Sequence, residues 1–122
     1  MSIVIGMGVS SAARTRDLEI ALKLLPDLNF TALATIKGKE QNSVLKSACQ
    51  LLSVSLLTFT ADELEKMTPF LKNPSDIVFE YLNCHGVAEA AALAACGQGG
   101  KLLVEKTKVG GVTLAVARGE EK

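Results

Sequence analysis

Along the first half of the chain, apolar and polar residues are arranged so that predicted strands and helices alternate. Short runs rich in β-branched residues predict strands, because branched side chains fit a pleated, half-buried surface. Between these runs, apolar residues recur every three or four positions with charged residues on the other side, which predicts amphipathic helices. The predicted strands are 2–7, 30–36 and 55–59, and the predicted helices are 15–25 and 44–52.

The second half adds shorter helical segments. Thr60 and Glu63 have the spacing of a capping box, and a short helix is predicted to continue to about Met67. Residues 76–82 are compatible with a helix or a strand, and we expect a helix. The alanine-rich run 86–95 predicts a tightly packed helix, because alanine has the highest helix propensity.

Two further strands are predicted at 101–107 and 112–117, joined through Gly110-Gly111, a pair of residues that tight hairpin turns prefer. Alternating strands and helices are typical of α/β domains with parallel strands, to which the hairpin adds an antiparallel part. We therefore expect a three-layer α/β/α sandwich with a mixed, roughly five-stranded sheet that ends in an antiparallel hairpin.

Length and composition favour one domain and exclude a disordered chain. A chain of 122 residues has the usual size of one domain, and two separate cores would leave each half too small to bury enough surface. Of these residues 48% are hydrophobic and 21% are charged, which is enough apolar material for a core. We expect a single domain over residues 1–119 and a frayed tail at 120–122.

The charge pattern narrows the class of partner. Thirteen basic and thirteen acidic residues cancel, and only four Phe and one Tyr are present, so no nucleic-acid-binding surface is expected. The longest apolar stretch, 86–97, contains Glu89 and is shorter than the roughly 20 residues that cross a membrane. Since no signal peptide is recognisable, we expect a soluble, cytoplasmic protein with no membrane partner.

The cysteines and the histidine give little indication of a metal centre. Three cysteines without a CxxC pair favour neither a disulfide framework nor a zinc site. Cys84 and His85 are adjacent, but adjacent side chains on a helix point in different directions, and the sequence has no second histidine. We expect packing or loop roles for this pair, and neither a metal nor a cofactor.

Residues at the ends of the first two predicted strands are candidates for ligand binding. Ligands of open α/β sheets bind at the carboxyl ends of the strands, where Gly8, Ser10 and Lys37 would gather. Gly6 and Gly8 indicate either a turn that a ligand can approach closely or merely a sharp turn. Lys37 and Lys39 lie in a charged loop of a kind that is usually solvated, and the alternative is that these amines bind carboxylates.

Glu89 is a carboxylate in an otherwise alanine-rich helix. One explanation is structural, because near the start of the helix it meets the positive end of the helix dipole and can accept backbone N–H bonds. The other is functional, because a partly desolvated carboxylate has a tunable pKa and can act as a general acid or base. Physical chemistry alone favours the structural explanation, since dipole pairing is common.

Several motifs are more specific together than singly. The longest is Gly86-Val87-Ala88-Glu89-Ala90-Ala91-Ala92-Leu93. The others are Gly6-x-Gly8, Ala34-Thr35-Ile36 with Lys39, Phe59-Thr60-Ala61-x-x-Leu64, Leu103-Val104-x-Lys106 and Val112-Thr113-x-Ala115-Val116-Ala117. In this order and at these distances they resemble the CobE / CbiG C-terminal domain family of cobalamin biosynthesis over nearly the whole chain.

The resemblance implies a three-layer α/β/α fold and a place in building the corrin ring. The longer CbiG proteins open a ring lactone of a cobalt-precorrin and release a two-carbon aldehyde, whereas this chain resembles the stand-alone CobE type. The implied function is to bind a precorrin or corrinoid intermediate and to assist its hydrolysis or transfer. The alternative is a non-catalytic partner or carrier for other corrin-pathway enzymes, so enzymatic activity is left open.

The implied site combines the candidates described above. Glu89 is the candidate catalytic residue, which would polarise water or a lactone oxygen. Lysines would pair with the carboxylates of the corrinoid, and the turn at Gly8 would admit the edge of the macrocycle. The candidate substrate-binding residues are Gly6, Gly8, Ser10, Lys37, Lys39 and Lys106.

Overall fold

A computed structural model describes residues 2–82, 84, 86–97 and 99–119. His85 and the predicted frayed tail, 120–122, lie outside these residues. No helix within the described ranges is long and apolar enough to span a membrane. The strands are β1 (Ser2–Val9), β2 (Ala32–Ile36), β3 (Ser55–Phe59), β4 (Lys101–Val109) and β5 (Val112–Gly119), and the α-helices are α1 (Thr15–Lys23), α2 (Ser43–Leu52), α3 (Ala61–Glu65), α4 (Asp76–Leu82) and α5 (Ala88–Cys96).

The five strands form one mixed sheet in the order β3-β2-β1-β5-β4. β1, β2 and β3 are parallel, because a helix returns the chain to the same end of the sheet before each new strand. β5 pairs antiparallel with both β1 and β4. The predicted α/β fold, with a mixed five-stranded sheet ending in an antiparallel hairpin, is confirmed.

Helices cover both faces of the sheet, because its central strands are apolar on both faces. Ile5, Met7 and Val9 are alternate residues of β1 and face a core shared with α1 and α2. Val4 points to the opposite face, into a second core that contains Ala90 of α5. The layers are therefore α1 and α2, the sheet, and α5 with α3.

The alanine-rich α5 lies very close to the sheet. Gly6 of β1 is beneath it, and a Cβ atom at this position would be 1.9 Å from the carbonyl oxygen of Ala88 and 2.8 Å from the amide nitrogen of Ala92. Only a glycine fits such a close approach of backbone to backbone. Small residues on both elements thus bring the N-terminal end of α5 next to the end of β1.

Several element bounds differ from the predicted ones. The first strand continues to Val9 instead of ending at residue 7, so Gly6 and Gly8 lie within β1 and the turn predicted at these glycines is wrong. The second strand begins at Ala32 rather than at residue 30. The capping box of Thr60 and Glu63 is formed, but α3 ends at Glu65 and is followed by a 3-10 turn, Thr68–Phe70. Residues 76–82, for which a helix was preferred over a strand, form α4.

β4 is irregular, unlike the plain strand that the sequence predicts. Its register against β5 shifts between Leu102 and Val104, and again between Val104 and Thr107. In each interval β4 has one residue more than its partner strand, which is the arrangement of a β-bulge. Such an extra residue changes the face of the sheet to which the following side chains point.

Candidate functional site

A cleft of about 690 Å³ opens at the carboxyl ends of β1, β2 and β4. The N-terminal end of α5, the start of α4 and the turn between β4 and β5 also border it. Its volume lies within the range of about 300–1,000 Å³ that is usual for small-molecule sites. The carboxyl end of the strands is also where open α/β sheets bind their ligands.

Five of the seven predicted site residues line this cleft, namely Gly8, Ser10, Lys39, Glu89 and Lys106. They come from β1 and the loop after it, the loop after β2, the first turn of α5, and β4. The fold therefore brings together residues that are distant in sequence, while the catalytic and binding roles proposed for them stay predictions.

Gly6 and Lys37 are not among the residues that line the cleft. Gly6 lies beneath Ala88, so its contacts favour a packing role rather than the predicted contact with substrate. Lys37 is exposed and lies near Glu40. Backbone hydrogen bonds are the main cause of the lowered pKa of Glu40, and the Lys37 ammonium adds to the effect. The position of Lys37 therefore fits a solvated charge, which is the commoner role of such loops.

The lining of the cleft combines aliphatic and cationic side chains. Ile77 of α4 is 69% exposed even though it is a large aliphatic residue. Such a lining suits a ligand with an apolar body and anionic groups at its rim. The aliphatic lining residues include Ile36, Ile77, Val78 and Val87, and the lysines are Lys39, Lys106 and Lys108.

Glu89 is only 3% exposed, and both of its carboxylate oxygens accept hydrogen bonds. Oε1 accepts from the backbone N–H groups of Lys72 and Asn73, at 3.0 and 2.9 Å. Oε2 accepts from the side-chain amide of Asn73 and from the backbone N–H of Lys106, both at 2.8 Å. The expected backbone N–H bonds are thus present, but these donors belong to the loop before α4 and to β4 rather than to the first turn of α5.

The environment of Glu89 favours its ionised form. Burial acts to raise the pKa of Glu89, but the hydrogen bonds from Lys106, Asn73 and Lys72 together outweigh burial and hold the pKa below its ordinary value. At neutral pH the side chain is therefore a carboxylate without a proton to donate. These contacts favour the structural explanation of this residue, and its predicted role in catalysis stays a prediction.

Asn73 and Lys108 also belong to the site, although the sequence does not identify them as site residues. Asn73 marks only a possible helix start before Pro74, and its partner Glu89 lies 16 positions away. No local pattern points to that contact. Lys108 does have a signal in the sequence, because it lies two positions after Lys106 and alternate residues of a strand share a face.

The turn between β4 and β5 is held against the loop that follows β1. Oδ2 of Asp17 accepts hydrogen bonds from the backbone N–H groups of Arg14 and Gly111, both at 3.2 Å. Ser10 donates its backbone N–H to the carbonyl oxygen of Gly111 at 2.9 Å. Gly110 has a φ of +56°, and a Cβ atom there would lie 2.5 Å from the Asp17 carboxylate, so both conformation and space require glycine.

The cysteines show no sign of a reactive or metal-binding role. Cys84 is buried in the second core, and burial raises the pKa of its thiol. Burial also raises the thiol pKa of Cys49 and of Cys96. A protonated thiol is a poor nucleophile and a poor metal ligand. In the part of the chain that the structure describes, no three His, Cys, Asp or Glu side chains form a group that could hold a metal ion.

Two relatives align with nearly the whole chain. Protein CobE from Sinorhizobium sp. is 31% identical over 121 residues, which cover 94% of this chain and 79% of that protein. Cobalt-precorrin-5A hydrolase from Priestia megaterium is also 31% identical over 121 residues, which cover 94% of this chain but only 32% of the hydrolase. The chain therefore corresponds to most of the first relative and to about a third of the second.

Solved structures share the fold. The crystal structure of CobE, a protein from the cobalamin (vitamin B12) biosynthetic pathway, superposes with a TM-score of 0.85 at 27% identity, covering 99% of this chain and 92% of that one. A cobalamin biosynthesis protein G homologue from Sulfolobus solfataricus superposes with a TM-score of 0.70 at 25% identity, covering 100% of this chain and 38% of that one.

A family model described as "Cobalamin synthesis G C-terminus" matches residues 3–117, which is nearly the whole chain. The family match, the two relatives and the shared fold agree with one another, and they confirm the resemblance that the motifs indicate. The chain belongs to the CobE / CbiG C-terminal family and is a cobalamin biosynthesis protein.

Proposed function

We propose that this protein binds a precorrin or another corrinoid intermediate in the cleft and assists its hydrolysis or transfer during cobalamin biosynthesis. The main support is the combination of three lysines with an aliphatic lining in one cleft. A corrinoid has a flat, apolar macrocycle whose side chains end in carboxylates, so it matches both kinds of lining. Lysine ammonium groups pair with carboxylates through charge-assisted hydrogen bonds.

The lining residues suit distinct parts of such a ligand. Lys39, Lys106 and Lys108 bind its carboxylates. Gly8 leaves room for the edge of the ring, since even a Cβ atom there would lie 3.5 Å from the side chain of Val87 and would narrow the cleft. The hydroxyl oxygen of Ser10 accepts a backbone N–H at 3.2 Å and keeps its own hydrogen for a ligand oxygen.

Hydrolysis draws its support from the similarity to cobalt-precorrin-5A hydrolase, of which this chain spans 32%. In a hydrolytic reaction, the ionised Glu89 would orient or polarise a water molecule near the lactone. It has no proton to donate at neutral pH, so it suits the role of a base or of an electrostatic group and not that of a general acid.

A non-catalytic carrier is the second candidate function. Two hydrogen bonds already reach each oxygen of Glu89, which limits its capacity to engage a substrate. A carrier would need only the lysines and the aliphatic lining. It would bind the intermediate and deliver it to other corrin-pathway enzymes.

Binding is tested with two corrinoids that differ in charge. Cobyrinic acid has side chains that end in carboxylates, whereas the corresponding groups of cobinamide are amides. We expect cobyrinic acid to bind more tightly, and its affinity to fall as salt is added. Lys39→Ala and Lys106→Ala should each weaken its binding about fivefold, since a partly exposed charge pair contributes about 1 kcal/mol.

Lys37→Ala is the matched control, because it removes a neighbouring lysine that does not line the cleft, and it should leave the affinity unchanged. The proposal is wrong if the parent protein does not bind cobyrinic acid, or if Lys37→Ala weakens binding as much as Lys39→Ala does.

The two candidate functions differ in product formation. The purified chain is incubated with a lactone-bearing cobalt-precorrin, and aldehyde release is measured. A hydrolase releases the two-carbon aldehyde, whereas a carrier binds the compound and releases none.

A further inference from the structure

The bulges of β4 change which face of the sheet its side chains occupy. Val104 and Val109 both pack against the core of α1 and α2, although they are five residues apart. In a regular strand, residues separated by an odd number of positions point to opposite faces. The extra residue between Val104 and Thr107 explains why both valines pack on the same core. One inserted residue turns the side chains that follow it to the opposite face of the sheet.

Lys106 and Lys108 reach the cleft as a result of the second bulge. Both line it beside the N-terminal end of α5. In a regular strand of the same sequence, the alternation that packs Val104 on the α1 and α2 core would turn both lysines into that core as well. The bulge therefore separates an aliphatic face from a cationic one within a single strand.

Two carboxylates hold the chain around the lysine segment, residues 106–108, one at its first residue and one at the turn that follows it. Oε2 of Glu89 accepts the backbone N–H of Lys106 at 2.8 Å, within the bulge. Oδ2 of Asp17 accepts the backbone N–H of Gly111 at 3.2 Å, at the turn that follows β4. Glu89 belongs to α5 and Asp17 to α1, so the segment is fastened to helices on both faces of the sheet.

We propose that Glu89 and Asp17 are positioning residues that fix the lysine segment, and so set the separation at which the cleft accepts two carboxylates of a ligand. The inference rests on the proposed function, because it assigns both acids to the same cleft. The Cα atoms of Lys106 and Lys108 are two residues apart in a strand, or about 7 Å. The ligand class is therefore a molecule that presents two carboxylates at a similar separation along one edge.

A double-mutant cycle on the binding of cobyrinic acid tests the role of Glu89. Gln at this position keeps only one oxygen, so two of the four donors would face an NH₂ group. In the Glu89→Gln background we expect Lys106→Ala to weaken binding less than twofold, compared with about fivefold in the parent. Lys39→Ala is the control, because Lys39 lies after β2 and outside the lysine segment. This substitution should weaken the binding of cobyrinic acid about fivefold in both backgrounds.

The role of Asp17 can be tested with a conservative variant that removes its negative charge and keeps its hydrogen-bond acceptor. Both of its donors reach the same oxygen, Oδ2, so Asp17→Asn keeps the acceptor whereas Asp17→Ala removes it. Asp17→Ala should reduce the dependence of binding on Lys108, measured with Lys108→Ala as the partner variant. Asp17→Asn should restore most of that dependence.

A measurement without ligand guards against variants that fail to fold. In the parent protein, the backbone amide signals of Lys72, Asn73 and Lys106 should shift together as the pH is lowered, with a single midpoint, because all three N–H groups donate to Glu89. Independent midpoints, or no shift of the Lys106 amide, would overturn the positioning role even if no variant could be purified.

The outcomes for the two proposals are distinct. If the parent does not bind cobyrinic acid, the proposed function is wrong and this inference falls with it. If the parent binds cobyrinic acid and Lys106→Ala lowers the affinity equally in the parent and in Glu89→Gln, the proposed function stands and the positioning role of Glu89 is wrong. If Asp17→Ala and Asp17→Asn reduce the dependence of binding on Lys108 equally, Asp17 is not a positioning residue.

Discussion

The carboxylate of Glu89 and the backbone of Lys106 are joined by a hydrogen bond of 2.8 Å, although 17 positions separate them and one lies in a helix and the other in an edge strand. The bond occurs where the pairing of β4 with β5 is interrupted, so an N–H group is available to leave the ladder. Through Lys72 and Asn73 the same carboxylate also holds the loop before α4. The stability of the fold should therefore depend on the ionisation of one buried acid.

The free energy of unfolding should fall at low pH as Glu89 is protonated. In the folded state, hydrogen bonds outweigh burial and hold the pKa of Glu89 below its unfolded value of about 4.3. The stabilisation is therefore complete above that value and is lost as the pH falls through the folded-state pKa. Urea unfolding of the parent and of Glu89→Gln at several pH values measures the stabilisation that ionised Glu89 provides. The difference between the two free energies should shrink as the pH is lowered, and a difference independent of pH would refute the assignment.

Alanine substitutions at Gly6 and Gly8 should differ sharply in their effect on stability. A Cβ atom at position 6 would be 1.9 Å from the carbonyl oxygen of Ala88, so Gly6→Ala must displace α5 and should cost about 3 kcal/mol or more. At position 8 the nearest atom, in Val87, would be 3.5 Å away, so Gly8→Ala should cost less than about 1 kcal/mol. Thermal or urea unfolding compares the two variants. Equal losses would show that α5 does not pack on β1 as described.

The hydroxyl of Thr35 should contribute to stability because it is buried. Thr35 is fully buried, and its Oγ1 donates to the carbonyl oxygen of Met7 at 2.7 Å. Thr35→Val keeps the shape and removes the donor, which should cost about 1 kcal/mol in urea unfolding. Thr31→Val is the control, because the Thr31 hydroxyl donates to the carbonyl oxygen of Ile3 and accepts from its N–H, and both bonds are exposed, so their loss should cost less than about 0.5 kcal/mol. The interpretation fails if the exposed position costs more than the buried one.

Ser53 should be a position where glycine stabilises the protein. It ends α2 in the left-handed conformation, with a φ of 56°, where a side chain is strained and glycine is not. We expect Ser53→Gly to raise the free energy of unfolding by about 0.5 kcal/mol, because the relief of strain exceeds the gain in unfolded-state entropy. The same substitution inside α2, Ser47→Gly, should lower it by about 0.5 kcal/mol. Thermal unfolding of both variants gives the two signs, and a loss at position 53 contradicts the expectation.

The alternation of strand and helix patterns was sufficient to predict the layers and the parallel part of the sheet. Parallel neighbours require a crossover, and the helix patterns between the first three strands supply it. The place of the hairpin in the strand order was harder to predict from the sequence. β5 lies between β1 and β4 because Val112, Leu114 and Val116 join the central core, which is long-range packing that no local pattern specifies.

The candidate site was predicted in part, and the two lysines after β2 show where the limit lies. They are two positions apart, which in a strand would place both on one face. Gly38 between them has a φ of +107°, so the chain has already left strand geometry, and of the two only Lys39 lines the cleft. The contacts of Glu89 were hidden for another reason, because its donors lie 16 and 17 positions away along the chain.

β4 forms one edge of the sheet, and a regular edge strand is a template on which another chain can add a strand. Its two bulges break the even spacing of the N–H and C=O groups along that free edge. Lys106 and Lys108 add positive charge beside it. The irregularity that turns these lysines toward the cleft therefore also makes β4 a poor partner for edge-to-edge association, and it protects this edge of the sheet from strand addition.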